Sequence, residues 1–228
     1  MTSISAFVCS VGNYVQGVEG LEDLGKVADY GMQWAKRFTA FSSDSLATMG
    51  RYQTTIAHSR AFFTFCRAMS SLDKMVRGFF ESSFGQGELQ RQEGEEHVST
   101  TSALSLLAVS CVNNSTEMAS TWNELELIRL GKLQPYVEGV FHITTLLGDG
   151  AGALRRTMQQ TSPGISTVER NYVSLKVAEH VSSVLGAMLG LACLCGAAVH
   201  PIFGLGCYTS WLISKLSAHF YRELSGRQ

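Results

Sequence analysis

The chain has 228 residues, enough for one or two domains. Its apolar content of 45% is ordinary, but Asp, Glu, Lys and Arg reach only 16%, well below the usual quarter. That low charged content, with a mean hydropathy of +0.08, suits a helical protein with part of its surface in lipid, whereas the formal net charge of −1 says little because the charge is unevenly distributed. Three prolines, at 135, 163 and 201, leave long stretches free for helix. No Asn-Gly or Asp-Gly lies between alternating apolar runs, so a β fold has little support. The first basic residue is Lys26, so the basic start of a secretory signal is missing. The six cysteines show no paired framework and read as reduced, small apolar side chains.

In chain order, residues 1–40 carry apolar side chains at helical spacing, including Val18, Leu21, Leu24, Val27, Met32, Trp34 and Phe38. This predicts one or two core-packing amphipathic helices, with a break near Gly17 to Gly20. Glu19, Glu22 and Asp23 suit the start of the second piece. Phe41 to Gly50 reads as a turn region.

Residues 51–80 combine two stripes. One is apolar: Phe62, Phe65, Met69, Leu72 and Val76. The other is basic: Arg60, Arg67 and Lys74, spaced by seven, with Arg77 beside them. A basic stripe beside a Phe-rich one predicts a helix lying in a membrane interface, with anionic lipid as partner. The patch is too narrow and too rich in Phe for nucleic acid. Residues 81–100 hold Glu81, Glu88, Glu93, Glu95 and Glu96 against Arg91, which predicts an acidic, solvated loop.

Residues 102–133 predict a further helical region ending near Gly131. Gly148-Asp149-Gly150 reads as a loop that breaks the next segment, and Ser162-Pro163-Gly164 as a turn. Helix resumes at Thr167 and enters a charge-free stretch from His180 to Ser214. Val181 to Val199 approaches the ~20 apolar residues that cross a bilayer. His200-Pro201 interrupts it, and a shorter arm follows from Ile202 to Leu216. Gly186 and Gly190 have the small-xxx-small spacing of helix packing in lipid, as do Ala192 and Gly196. His200 is a candidate intramembrane polar group.

The expected fold is all-α, with amphipathic helices packed against a C-terminal membrane-embedded helical hairpin. Its divisions are an amphipathic region over 1–80, an acidic loop over 81–100, helices over 101–179, the membrane hairpin over 180–217 and a short polar tail over 218–228. No phosphate-binding Gly loop, catalytic constellation, cofactor motif or metal-ligand spacing is present, so an enzyme is not expected.

Three stretches resemble the peroxisome-proliferation peroxin family (the eleventh peroxin), which includes glycosomal membrane relatives in kinetoplastids. They are SRAFFTFCRAMSSLDKMVRGFF from Ser59, TWNELELIRLGKL from Thr121 and HPIFGLGCYTSWLISKL from His200. The resemblance implies an integral peroxisomal or glycosomal membrane protein with cytosolic termini. It would remodel and elongate the organelle membrane before fission, with pore activity in some members. Homo-oligomers and the fission machinery are the implied partners. A second expectation is a docking platform in a host vacuole membrane, anchored by a two-lobed apolar hairpin.

Overall fold

A computed structural model of the chain describes Val11, Tyr14, residues 17–84 and residues 100–225. Every long element among these is a helix: α1 (Val18–Phe38), α2 (Ser43–Phe84), α3 (Thr100–Glu124), α4 (Gln134–Gln160), α5 (Thr167–Leu194) and α6 (Pro201–Ser225). A single 3-10 turn, Gly131–Leu133, leads into α4. Successive helices pack on one another, and α1 also touches α6. Each successive pair runs antiparallel. Arg67 meets Glu117 while Ser71 meets Asn114, and Gly186 meets Tyr208 while Ser182 meets Ser210.

Several boundaries differ from the sequence expectation, each for a local reason. The turn expected over 41–50 shrinks to 39–42, because Ser42 accepts the Ser45 N–H and starts α2 there. The acidic loop falls largely on residues 85–99, outside the described residues, but Glu81 belongs to α2. Helix α3 stops at Glu124, seven residues before Gly131. Glu126 adopts φ +58°, and the Asn123 side chain accepts the Leu130 N–H at 2.9 Å, closing a turn over 125–130.

The Gly148-Asp149-Gly150 loop does not form. Helix α4 runs straight through it. Helix-interior glycine costs about 1 kcal/mol against alanine, but here glycines admit neighbours. A Cβ on Gly152 would lie 2.7 Å from the His180 ring. Asp149 in turn accepts from His180 Nδ1 at 2.8 Å and from the Ser183 hydroxyl, fastening α4 to α5.

The charge-free stretch is cut differently as well. Helix α5 starts at Thr167, where Ser166 accepts the Glu169 N–H at 3.1 Å. It ends at Leu194, not Val199. Gly196 takes φ +88°, its N–H bonds to Cys193 O, and Ala197 N–H bonds to Ala192 O. This is a Schellman ending, so Gly196 terminates a helix rather than extending a packing stripe. Residues 218–225, expected to open a polar tail, continue α6. His200 Nδ1 accepts the Ile202 N–H at 3.3 Å and so serves the start of α6.

Candidate membrane-facing surface and its buried charge network

The distribution of side chains between inside and outside is inverted. On α2 the buried positions are small: Ala61, Thr64, Ala68 and Gly78. The outer face of the same turns presents Phe62, Phe65, Met69, Leu72, Val76 and Phe79, with Phe62 and Phe79 more than 60% exposed. The apolar half of the expected stripe is therefore on the surface.

Helix α4 shows the inversion most fully. Its outward positions from Val140 onward are Val140, Ile143, Leu147, Ala151, Leu154, Thr157 and Met158, and none is charged. From Tyr136, which is 73% exposed, to Met158 the face advances by 22 residues. At 1.5 Å per residue that is about 33 Å, close to the ~30 Å of a bilayer core. Helix α5 continues the pattern with Ala178, Val181, Leu185 and Met188 outward. It is the one helix among the described residues long and apolar enough to cross a membrane, and only 22% of its apolar window is buried.

Beside buried apolar side chains such as Val173, Leu205 and Leu212, charged groups also lie inside. Glu22, Asp23 and Lys26 of α1 are each under 5% exposed. Lys26 Nζ sits 2.7 Å from Glu22 Oε1. Arg67 of α2 reaches Glu22 at 3.2 Å and also pairs with Glu117 of α3. Lys215 of α6 reaches Asp23 at 2.8 Å. The ammonium groups of Lys26 and Lys215 both lie over the Trp211 ring, at 4.8 and 5.2 Å. Tyr14 donates to Asp23. Three acids and three bases from four helices thus close one neutral cluster. Beside it Arg60 meets Asp29 at 3.7 Å.

The electrostatics follow from burial against pairing. Burial alone would raise the Glu117 carboxyl, but Arg67 and Lys26 outweigh it and hold the group down at about 2. For Lys26 burial wins over its acidic neighbours, and its ammonium is pulled below the ordinary lysine value. Burial and the neighbouring Asp23 push the Tyr14 phenol up, so it stays a neutral donor.

The basic half of the expected interface stripe is therefore corrected. Arg60 and Arg67 turn inward to Asp29, Glu22 and Glu117 and are not displayed to headgroups. Only Lys74 and Arg77 are exposed, and Arg77 pairs with Asp73 at 3.0 Å. The core-packing face expected on α1 is corrected too. Leu21, Leu24 and Val27 are at least 40% exposed, while Glu22 and Asp23, two of the three acids assigned to the helix start, are buried and Glu19 is exposed.

Of the two packing glycines, Gly186 meets Tyr208 and Cys207 of α6 at 3.4–3.7 Å from a notional Cβ. Gly190 faces α4, where a Cβ would fall 2.2 Å from the His142 ring. Both close approaches occur within one chain.

The cluster was missed in the sequence because a spacing of seven marks one helix face without saying which way it faces. Better signals were present. Glu117 is the lone charge between Thr100 and Asn123, and Lys215 is the charge that ends the charge-free stretch. A single charge in an apolar helix needs a partner. No family model, curated protein or solved structure matches the chain.

Proposed function

We propose that the chain is an integral organelle-membrane protein whose outer helix faces lie in lipid and which remodels the membrane that holds it. The observation that carries this reading is a partial inversion: many large apolar side chains outside, with small and paired charged side chains within beside a few buried apolar ones such as Val173, Leu205 and Leu212. In water such a surface invites aggregation. In a bilayer it is the stable arrangement, because small residues let helices approach and polar groups join them internally. In this reading α5 crosses the bilayer with α6 packed against it as the C-terminal hairpin. The Phe62–Phe79 face of α2 wedges into one leaflet and expands it.

The family resemblance supplies the setting. Membrane remodelling and elongation before fission, in a peroxisome or glycosome with cytosolic termini, is the specific role proposed here. The polar lane between α3 and α4, where Asn113 Oδ1 accepts from Thr144 and Thr145 at 2.9 and 3.0 Å, is compatible with the pore activity of that family.

The test uses outward residues. Leu185→Arg with Met188→Arg changes the surface of a soluble protein by little, typically within about 0.5 kcal/mol. In a membrane it costs about 2.5–3.5 kcal/mol per arginine near a helix centre. The full chain should resist carbonate extraction, and the double variant should lose that resistance. A soluble wild-type chain, or an unaffected double variant, overturns the membrane reading. Remodelling is tested separately: Phe62→Asp with Phe65→Asp should leave the chain in the membrane but abolish elongation of vesicles carrying it. Vesicles elongated equally by both chains contradict the wedge.

A further inference from the structure

With Arg60 and Arg67 committed inside, the side chains that could hold anionic lipid lie elsewhere. One group of them gathers where the C-terminal end of α4, the first turns of α5 and the last turns of α6 come together, apart from the exposed Lys36, Arg37 and Arg51 near the α1–α2 turn. Gln160 of α4 donates to Ser174 of α5 at 2.8 Å, and Asn171 of α5 donates to Tyr221 of α6 at 3.1 Å. These two bonds bring Arg155 and Arg156, Arg170, and Arg222 to one end of the three-helix group. Arg222 lies over the Tyr172 ring at 5.7 Å. Arg156 donates to Gln159 at 2.7 Å, and Arg170 and Arg222 are exposed. The acids that α4, α5 and α6 bring to this end are Glu169, Glu179 and Glu223, and Glu179 is taken by Lys176 at 2.7 Å; Glu19 of α1 stands nearby, beside Tyr14, which packs on His219 and Phe220.

The opposite end of the same three helices differs. There Arg129 and Lys132 face Glu124, Glu126 and Glu138, and residues 187–207 carry no charge. Thus the arginine-rich end is the basic end of the group. It also stands where the uncharged face of α4 stops, at Leu154 and Met158. Arginines and tyrosines at the end of an apolar helix face are the arrangement of a headgroup boundary. Guanidinium groups bind phosphate oxygens in pairs of hydrogen bonds.

We propose that Arg156, Arg170 and Arg222, with Tyr172 and Tyr221, form a binding surface for anionic phospholipid headgroups at the α4–α5–α6 end. The proposal rests on the membrane reading above and replaces the α2 stripe as the anionic-lipid contact.

The test is made on the full chain reconstituted in phosphatidylcholine vesicles with and without phosphatidylserine, using spin-labelled lipids to read the fraction held at the protein. The wild type should hold labelled phosphatidylserine several-fold more than labelled phosphatidylcholine. Arg156→Gln, Arg170→Gln and Arg222→Gln together should reduce that preference to near one while the protein keeps its helicity and stays in the vesicles. Lys74→Gln should keep the preference. Free inorganic phosphate at matched ionic strength should also leave it intact. An integrated wild type without preference, a triple variant that retains it, loss through Lys74→Gln, or abolition by inorganic phosphate each overturns the proposal. A wild-type chain that never enters the vesicles contradicts the membrane reading itself and, with it, this surface. If the triple variant unfolds, the single variants Arg170→Gln and Arg222→Gln, at exposed positions, are read instead. Each should lower the preference, and no change in either overturns the surface.

Discussion

The junction of α1, α2, α3 and α6 and the interface of α4 with α5 are joined by opposite means. The first is held by six charged groups that neutralise one another: Glu22, Asp23, Lys26, Arg67, Glu117 and Lys215. The second is held by close approach and a single acid: Gly152 against His180, Gly190 against His142, and Asp149 between His180 and Ser183. A charge cluster is a specific lock that fails badly when one member is lost. A glycine contact is a matter of volume, and its failure scales with the atoms added.

The largest effect should come from breaking the lock. Arg67→Gln leaves Glu22 and Glu117 without their common partner, and removing one member of a buried pair costs about 3–5 kcal/mol. Thermal unfolding in detergent should show that loss, whereas Lys74→Gln, at the exposed position seven residues on, should change stability by under about 0.5 kcal/mol. Equal effects at both sites would mean that Arg67 is not the internal link.

The glycine contact should respond next. Gly190→Ala places a methyl carbon into the His142 ring, and overpacking of this kind costs about 1–3 kcal/mol. His142→Ala in the same chain should recover much of it, since the ring is the obstacle. A double variant no better than the sum of the singles would place the strain elsewhere.

The pH response sharpens the contrast. Glu117 is held near 2 in the folded chain against an ordinary value of 4.5. Its folded value is depressed, so its stabilisation is full above about pH 4.5 and fades as pH falls toward 2. Acid titration of stability should therefore lose part of its slope in Glu117→Gln. An unchanged slope would contradict the pairing. The smallest effect belongs to Ser182→Ala, which removes one hydroxyl contact to Ser210 at 3.0 Å. Such interhelical bonds average about 0.6 kcal/mol in membrane proteins.

Much of the helical layout could be read from the chain, because apolar spacing and the scarcity of proline speak directly to helix. The Pro163 turn and the start of α5 at Thr167 fell where expected. Interior glycines misled the reading at Gly148-Asp149-Gly150, where Asp149 bonds to His180 and Ser183 and Gly148 lies against Val109, which overrides local propensity. The end of α5 misled it at Gly196, a helix stop that looks like one more small residue. Orientation was the harder problem. The stripes of α2 were found, but periodicity is the same for a face turned to lipid and a face turned to a neighbouring acid. Only the partners, Asp29, Glu22 and Glu117, decide it, and they are 31 to 50 residues away along the chain in α1 and α3.

The central claim is that the outward face of α4 meets lipid. The direct measurement places a nitroxide on single cysteines introduced at Ile143, Leu147 and Leu154, in a chain whose other cysteines are replaced, reconstituted in vesicles. Collisions with oxygen, which concentrates in lipid, and with a water-soluble nickel chelate are then compared. High oxygen and low nickel access at all three sites is the predicted result. High nickel access along that face would put it in water and contradict the account.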